Sequence, residues 1–349
     1  MIYFDVTNAG RSGHASGLNR VSVRLREELG GAVTPVAWHG RTRRFRLVET
    51  KRAVNWTGAD WLLTCELFSE EERPGFGDFI QAKPCRLAAI FHDAIPMKFP
   101  HITWPKSVAR HPGYMSLLAQ FDRVLAVSAA SADELRGFWR WQGRETPTTV
   151  GTLTLGADFN RRPRAVVATP PAVPALLCVG ILEPRKNQVF LMEVCDQLWG
   201  EGLAFELHLV GRVNPHFGKP VAARVKALRK QGRAVRHHEG IDDAGLLALY
   251  GRARATAFPT IAEGCGLPVV ESLWMGVPCV CGDLPVLREN AAGGGCVTAP
   301  TGDPGAWRDA LRRVLADDAA WRALAAEAGS RPLATWADSA RQVRAALEL

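Results

Sequence analysis

Two stretches of this sequence open in the same way, and that recurrence limits the fold more than any other feature. Ile2 to Val6 is a short apolar strand, and a turn-rich loop, Thr7 to Gly17, follows it. Leu18, Val21, Leu25 and Leu29 then recur at helical spacing. Ala175 to Gly180 is again an apolar strand, followed by the loop Ile181 to Asn187 and a helix through Leu198. Strand, loop, helix is the opening of a doubly wound α/β domain. At 349 residues the chain exceeds what one core usually serves, so two domains are expected. The first is read as residues 1–165 and the second as 172–332, with a proline-rich linker from Arg161 to Pro174. Residues 333–349 carry a last helix that starts near Trp336.

The chemistry-bearing residues gather where such strands end. Phe258 closes an apolar run, and Glu263-Gly264-Cys265-Gly266-Leu267-Pro268-Val269-Val270-Glu271 comes just after it. The Gly-x-Gly turn lets backbone approach a ligand closely. The helix after it offers free N–H groups suited to a phosphate. Glu271 is placed about two turns into that element. One Gly-x-Gly alone would fit an ordinary strand–turn–helix. Arg185 and Lys186, adjacent at a strand-to-helix junction, suit a diphosphate. His92 and Asp93 follow the buried strand Arg86 to Phe91, at the end where α/β folds place their ligands. Ser128 follows the strand Arg123 to Val127. Ser131 with Glu134 reads as a capping box, and the helix Trp104 to Gln120 is expected to break at Pro112-Gly113.

The block from Glu263 to Ser272, with Gly276-Val277-Pro278-Cys279-Val280 after it, resembles the nucleotide-sugar site of retaining glycosyltransferases of family 4, which carry a Glu-x7-Glu motif. The string Glu183-Pro184-Arg185-Lys186-Asn187 is similar too, and His92-Asp93-Ala94-Ile95-Pro96 resembles a mannosyltransferase-like branch. The resemblance implies the GT-B fold: two Rossmann-like doubly wound domains facing across a cleft, with the C-terminal helix crossing back to the first. It implies that Glu263 holds hydroxyls of the donor sugar and Glu271 the ribose, that Lys186 with Arg185 meets the leaving diphosphate, and that Gly240 and Ile241 hold the base. Gly17, Gly264, Cys265, Gly266 and Leu267 join the donor set. His92 faces the sugar, while Asp93 and Ser128 serve the acceptor. Ser16-Gly17-Leu18-Asn19-Arg20 departs from the family's Gly-x-Gly-Arg loop at Asn19, and Ile181 stands where many members have arginine.

The implied reaction is retaining transfer of a hexose from a nucleotide-diphosphate sugar. GDP-mannose is favoured, with a glycan or lipid-linked glycan acceptor in surface polysaccharide synthesis. UDP- or dTDP-sugars, a hydrolase or phosphorylase, and a non-catalytic nucleotide-sugar-binding protein are the alternatives. No cofactor beyond the donor substrate is expected. The chain has no Asp-x-Asp, so metal independence is expected. The eight cysteines form no disulfide or zinc framework and read as reduced thiols.

The net charge of +8 and pI near 9.3 favour anionic partners. The densest basic run is Arg41-Thr42-Arg43-Arg44-Phe45-Arg46 with Lys51-Arg52. A solvated face explains it; peripheral contact with an anionic membrane is the functional alternative. No nucleic-acid motif accompanies it. With no apolar run of spanning length and no signal-like N-terminus, the expected place is the cytoplasm, including the inner face of the cell membrane.

Overall fold

The computed structural model describes residues 1–8, 17–167, 169–171 and 173–348, the side chain of residue 160 aside. The chain divides into two compact units, Met1–Gly156 with Ala334–Leu349, and Ala157–Leu333.

In the first unit the described strands are β1 (Ile2–Asp5), β2 (Val33–His39), β3 (Arg44–Leu47), β4 (Trp61–Thr64), β5 (Arg86–Phe91), β6 (Arg123–Ala126) and β7 (Thr149–Thr152). They form a sheet in the order β3-β2-β1-β4-β5-β6-β7, parallel except for the edge strand β3. Every residue of β1 and β4 is buried, as expected of parallel strands covered on both faces. An aromatic core of Trp38, Phe45, Phe68, Phe76, Tyr114 and Phe121 fills one side of the sheet. The last helix, Trp336–Ala346, packs on helix Gly17–Leu29. Ser339 donates to the Thr154 carbonyl, and Gly156 lies so close to Trp336 that a Cβ there would meet its backbone nitrogen at 2.3 Å. The C-terminal helix thus returns to the first unit.

The second unit holds β8 (Ala175–Val179), β9 (Glu206–Val210), β10 (Val235–His238), β11 (Ala255–Phe258), β12 (Cys279–Gly282) and β13 (Cys296–Ala299), in the order β10-β9-β8-β11-β12-β13. All of the described pairings are parallel. Leu176, Leu207, Leu209, Val280, Trp307 and Leu311 fill the interior. Each such side chain contributes about 1.5–3 kcal/mol by leaving water.

Three local expectations are corrected. Helix Pro105–Leu118 runs through Pro112 unbroken. Its buried face, His111, Tyr114, Met115 and Leu118, offsets the hydrogen bond that proline forfeits. Ser128, rather than Ser131, caps helix Ala129–Trp141: its hydroxyl accepts from the Ser131 N–H at 3.0 Å. Glu134 instead accepts from the Ala94 N–H and pairs with Lys98. Finally, the chain leaves the first unit at Gly156 rather than residue 165. Residues 162–165 are already tied to the second unit, because Trp274 donates to the Arg162 carbonyl and the Ala165 N–H to the Trp274 carbonyl. The part of the first loop at residues 9–16, and residues 168 and 172 of the linker, lie outside the described residues.

Candidate functional site

In the second unit the strand order reverses between β8 and β11. Doubly wound sheets bind ligands outside the carboxyl ends of their strands at such a point. The loops leaving these two strands carry Lys186 and Glu263. After β8, Pro184–Lys186 makes one tight turn, and Asn187 takes a left-handed conformation before helix Gln188–Gly200. After β11, Thr260 donates to the Arg185 and Ala262 carbonyls, and the Ile261 N–H donates to the Arg185 carbonyl. The two loops are laced backbone to backbone before any side chain is counted.

The side chains complete the junction. Lys186 Nζ lies 2.6 Å from Glu263 Oε2, and Arg185 Nη1 lies 3.3 Å from the same oxygen. Arg185 also donates to the Ala262 carbonyl at 3.0 Å and pairs with Glu183. Lys186 sits over the Phe258 ring, 4.6 Å from its centre. Burial pulls the Lys186 ammonium below its ordinary pKa, and Arg185 adds to that while Glu263 opposes it. Burial works against the Glu263 charge, yet Lys186, Arg185 and the Gly264 N–H hold its carboxyl below the usual range. The result is an ionised pair that keeps donors in hand: an ammonium has three, and Glu263 takes one.

Gly266 turns the chain into helix Leu267–Trp274 from a left-handed conformation, φ 76°. A Cβ there would meet Leu287 at 2.7 Å and Asn290 at 2.8 Å, so glycine is required on both counts. Asn290 donates to the Cys265 carbonyl at 2.6 Å and fixes the turn. Leu267 is buried, as is Glu271. Because the helix starts only at Leu267, Glu271 is one turn in rather than two. Burial, then Glu263, Glu271 and Glu289, push the Cys265 thiol up. Gly240 follows β10 in a left-handed conformation, φ 73°, with Ile241 half-buried against Leu246 and Tyr250. They stand along the same carboxyl edge of the sheet, two strands from β8.

The remaining candidates belong to the first unit. Gly17 begins helix Gly17–Leu29, and no described residue lies within 4 Å of a Cβ built there. His92 is 8% exposed; its Nε2 donates to the Cys65 carbonyl at 2.9 Å, which fixes the tautomer, and burial lowers its pKa. Asp93 Oδ1 accepts from the Ile95 N–H, and its carbonyl accepts from His111. Ser128 is the buried cap already described.

The sequence reading passed over a further cluster in this unit. Asp5, Glu66 and Arg73 form a buried ion triad beside the β1–β4 junction. A carboxylate ending an otherwise apolar strand was its one visible sign. In the second unit a cavity of about 580 Å³, lined by Val173, Trp199 and Phe205 among others, opens at the amino ends of β8 to β10, the opposite end of the sheet from Lys186 and Glu263.

Among the described residues no group of His, Cys, Asp or Glu is gathered as for a metal ion, and no helix is long and apolar enough to cross a membrane.

Residues 173–317 match the family model described as Glycosyl transferases group 1, so the second unit carries a domain of that group. The chain is 29% identical over 231 residues to the serotype-specific mannosyltransferase WbdA of Escherichia coli, a match that covers 61% of this chain and 28% of that protein. It is 32% identical over 140 residues to the O-antigen chain mannosyltransferase RfbU of Salmonella typhimurium, covering 40% and 37%. It therefore spans well under two thirds of either relative. Among solved structures, sucrose-phosphate synthase from Thermosynechococcus elongatus superposes with a TM-score of 0.74 at 18% identity, over 99% of this chain and 98% of that one. HepE from Anabaena, solved in complex with UDP-glucose, gives 0.72 at 16% identity over 99% of each. At such identities the likeness establishes the fold, which is GT-B.

Proposed function

We propose that this protein is a retaining, metal-independent hexosyltransferase. It moves a hexose from a nucleotide-diphosphate sugar, with GDP-mannose favoured, to a glycan or lipid-linked glycan acceptor in surface polysaccharide synthesis. The observation that carries the reading is the Lys186–Glu263–Arg185 junction at the switch point of the second unit, beside the glycine turn at Gly266. The names of the relatives, a mannosyltransferase and an O-antigen chain mannosyltransferase, support the choice of sugar and product.

In this reading the diphosphate docks on Lys186 and Arg185 and on the N-terminus of helix Leu267–Trp274. As the glycosidic bond to the phosphate lengthens, negative charge grows on the phosphate oxygen. Preorganised cations in a partly dry site stabilise that charge more than they stabilise the ground state. Glu263, held in place by Lys186, accepts hydroxyls of the sugar. Glu271 meets the ribose, and Gly240 with Ile241 meets the base. The acceptor hydroxyl attacks from the face the diphosphate leaves, and the departing phosphate takes its proton. His92, Asp93 and Ser128 are assigned to the sugar and the acceptor. The acceptor is met at an anionic membrane surface through the basic hairpin around β3, where Arg41, Arg43, Arg44, Lys51 and Arg52 are exposed.

The test is incubation with GDP-mannose, UDP-, dTDP- and ADP-sugars, with and without glycan acceptor. A new glycoside from GDP-mannose, with the anomeric configuration kept and turnover unaffected by EDTA, is expected. Free sugar alone would identify a hydrolase, and no turnover of any donor would leave a binding protein.

A further inference from the structure

The junction in the second unit sets two carboxylates against its two cations. Lys186 and Arg185 both face Glu263, and Arg185 also faces Glu183. In the proposed reaction Glu263 meets the sugar, which leaves Glu183 without a task. A carboxylate beside a diphosphate repels it. Nor is stability a good account, because an ion pair that water still reaches adds little, and the side chains of Arg185 and Glu183 are 20% and 13% exposed. The contacts that Glu183 makes give it another role.

The Arg185 guanidinium is gripped on two edges. Its Nε and Nη2 lie 3.1 and 3.0 Å from Glu183 Oε1. Its Nη1 donates to the Ala262 carbonyl at 3.0 Å and lies 3.3 Å from Glu263 Oε2. A planar fork held on both sides keeps one orientation. Glu183 is itself held. Its second oxygen accepts from Asn214 Nδ2 at 2.8 Å, and its N–H donates to the buried Gln188 side chain at 3.3 Å. Asn214 comes from the loop after β9, and its Oδ1 accepts from the N–H groups of His216 and Phe217 at 2.9 and 3.2 Å. That fixes which way its amide points. The Asn214 N–H donates to the Leu182 carbonyl at 3.0 Å. Gly218 packs so close that a Cβ there would meet the same carbonyl at 2.6 Å. Glu183 thus ties Arg185 to a third loop, one that carries none of the other proposed donor contacts.

We infer that Glu183 is a positioning residue of the transfer reaction: with one oxygen fixed by Asn214, it uses the other to hold the Arg185 guanidinium beside Glu263, where charge grows on the leaving diphosphate. The inference rests on the transferase reading. Its structural half, the hold of Glu183 on Arg185, is testable without any turnover.

Glu183→Gln is the discriminating variant, read alone and in an Arg185→Met background. The amide has one oxygen for two sets of donors, so its NH2 is left facing either Arg185 or Asn214, donor against donor. The expected results are a melting temperature within about 3 °C of wild type and faster solvent exchange of the Arg185 Nε–H. That signal is read in an arginine-selective NMR spectrum and assigned by its loss in Arg185→Met. With the donor that wild type turns over, kcat per folded molecule should fall roughly tenfold, the scale of misaligning a catalytic group. In the Arg185→Met background the same change should cost no more than about twofold, because residues that act as a unit are not additive. Exchange of the Arg185 Nε–H equal to wild type overturns the hold itself. An equal loss of kcat in both backgrounds shows that Glu183 does not act through Arg185. Tighter nucleoside-diphosphate binding with kcat unchanged would make Glu183 a counter-charge only, and a large drop in melting temperature with kcat per folded molecule intact would make it a prop of the fold; either overturns the positioning role. Wild-type protein inactive on every donor would sink the transferase reading, while the exchange result would still decide whether Glu183 holds Arg185.

Discussion

Both units set acidic and basic side chains at the point where their strand order reverses, but they use them differently. In the first, the side chains of Arg73, Asp5 and Glu66 are 0%, 0% and 6% exposed. In the second, those of Lys186, Arg185 and Glu263 are 10%, 20% and 15% exposed. A sealed triad can only act through what it holds. A site that is open by this small margin keeps donors for a ligand and still lies in a medium dry enough to make each charge count. The same topological position therefore yields a sealed ion cluster in one case and a candidate binding site in the other, and the difference is the last tenth or so of solvent access.

The largest expected effect follows from the sealed side. Arg73→Ala leaves Asp5 and Glu66 buried without a counter-charge, and should cost about 3–5 kcal/mol of stability, read from urea unfolding. A loss no greater than that of Lys186→Ala would remove the distinction between the two clusters.

The next effect separates the two glutamates of the open site. Glu263→Ala should depress kcat and leave nucleoside-diphosphate affinity unchanged or raised, because it releases Lys186 to the phosphates. Glu271→Ala should chiefly raise the donor KM and weaken nucleoside diphosphate about tenfold, the scale of a hydrogen bond to a charged group. Calorimetry with GDP measures both, and the reverse order would interchange the two roles.

The smallest effect is a pH limb. In the proposed reaction Lys186 acts as an ammonium, and burial holds its pKa below the ordinary 10.5. Activity should fall as pH rises through that lowered value. Stability runs the other way: in the window between the lowered pKa and 10.5 the unfolded chain binds the extra proton, so this group makes the native state more stable as pH rises. Lys186→Arg, which stays charged, should abolish both trends. A pH–rate profile and melts from pH 8 upward, roughly spanning ordinary lysine titration, would show them.

Much of this was legible in the sequence because parallel strands buried on both faces are written as unbroken apolar runs. Ile2 to Phe4, Leu87 to Phe91 and Ala255 to Phe258, interrupted only by Thr256, needed little else. Lys186, Arg185 and Glu263 were each visible from local strings, but the ion pair between Lys186 and Glu263 was not, since 77 positions separate them and only the β8–β11 adjacency brings them together. The buried triad was hidden for a related reason. Arg73 follows Glu70-Glu71-Glu72, a run that reads as a solvated face, and only the fold turns that one residue inward. The continuous helix through Pro112 shows tertiary burial overriding a local rule. The cap at Ser128 shows how two serines three positions apart offer equivalent local readings until packing chooses between them.

The central claim is that the open junction in the second unit stabilises a leaving diphosphate through Lys186. Its most direct test is kcat for hexose transfer from GDP-mannose by Lys186→Ala, measured on protein whose circular dichroism and melting temperature match wild type. The account predicts a loss of roughly 100-fold or more, the scale of deleting one preorganised donor to a developing anion. A kcat within a factor of about two of wild type, well inside that range, would contradict it.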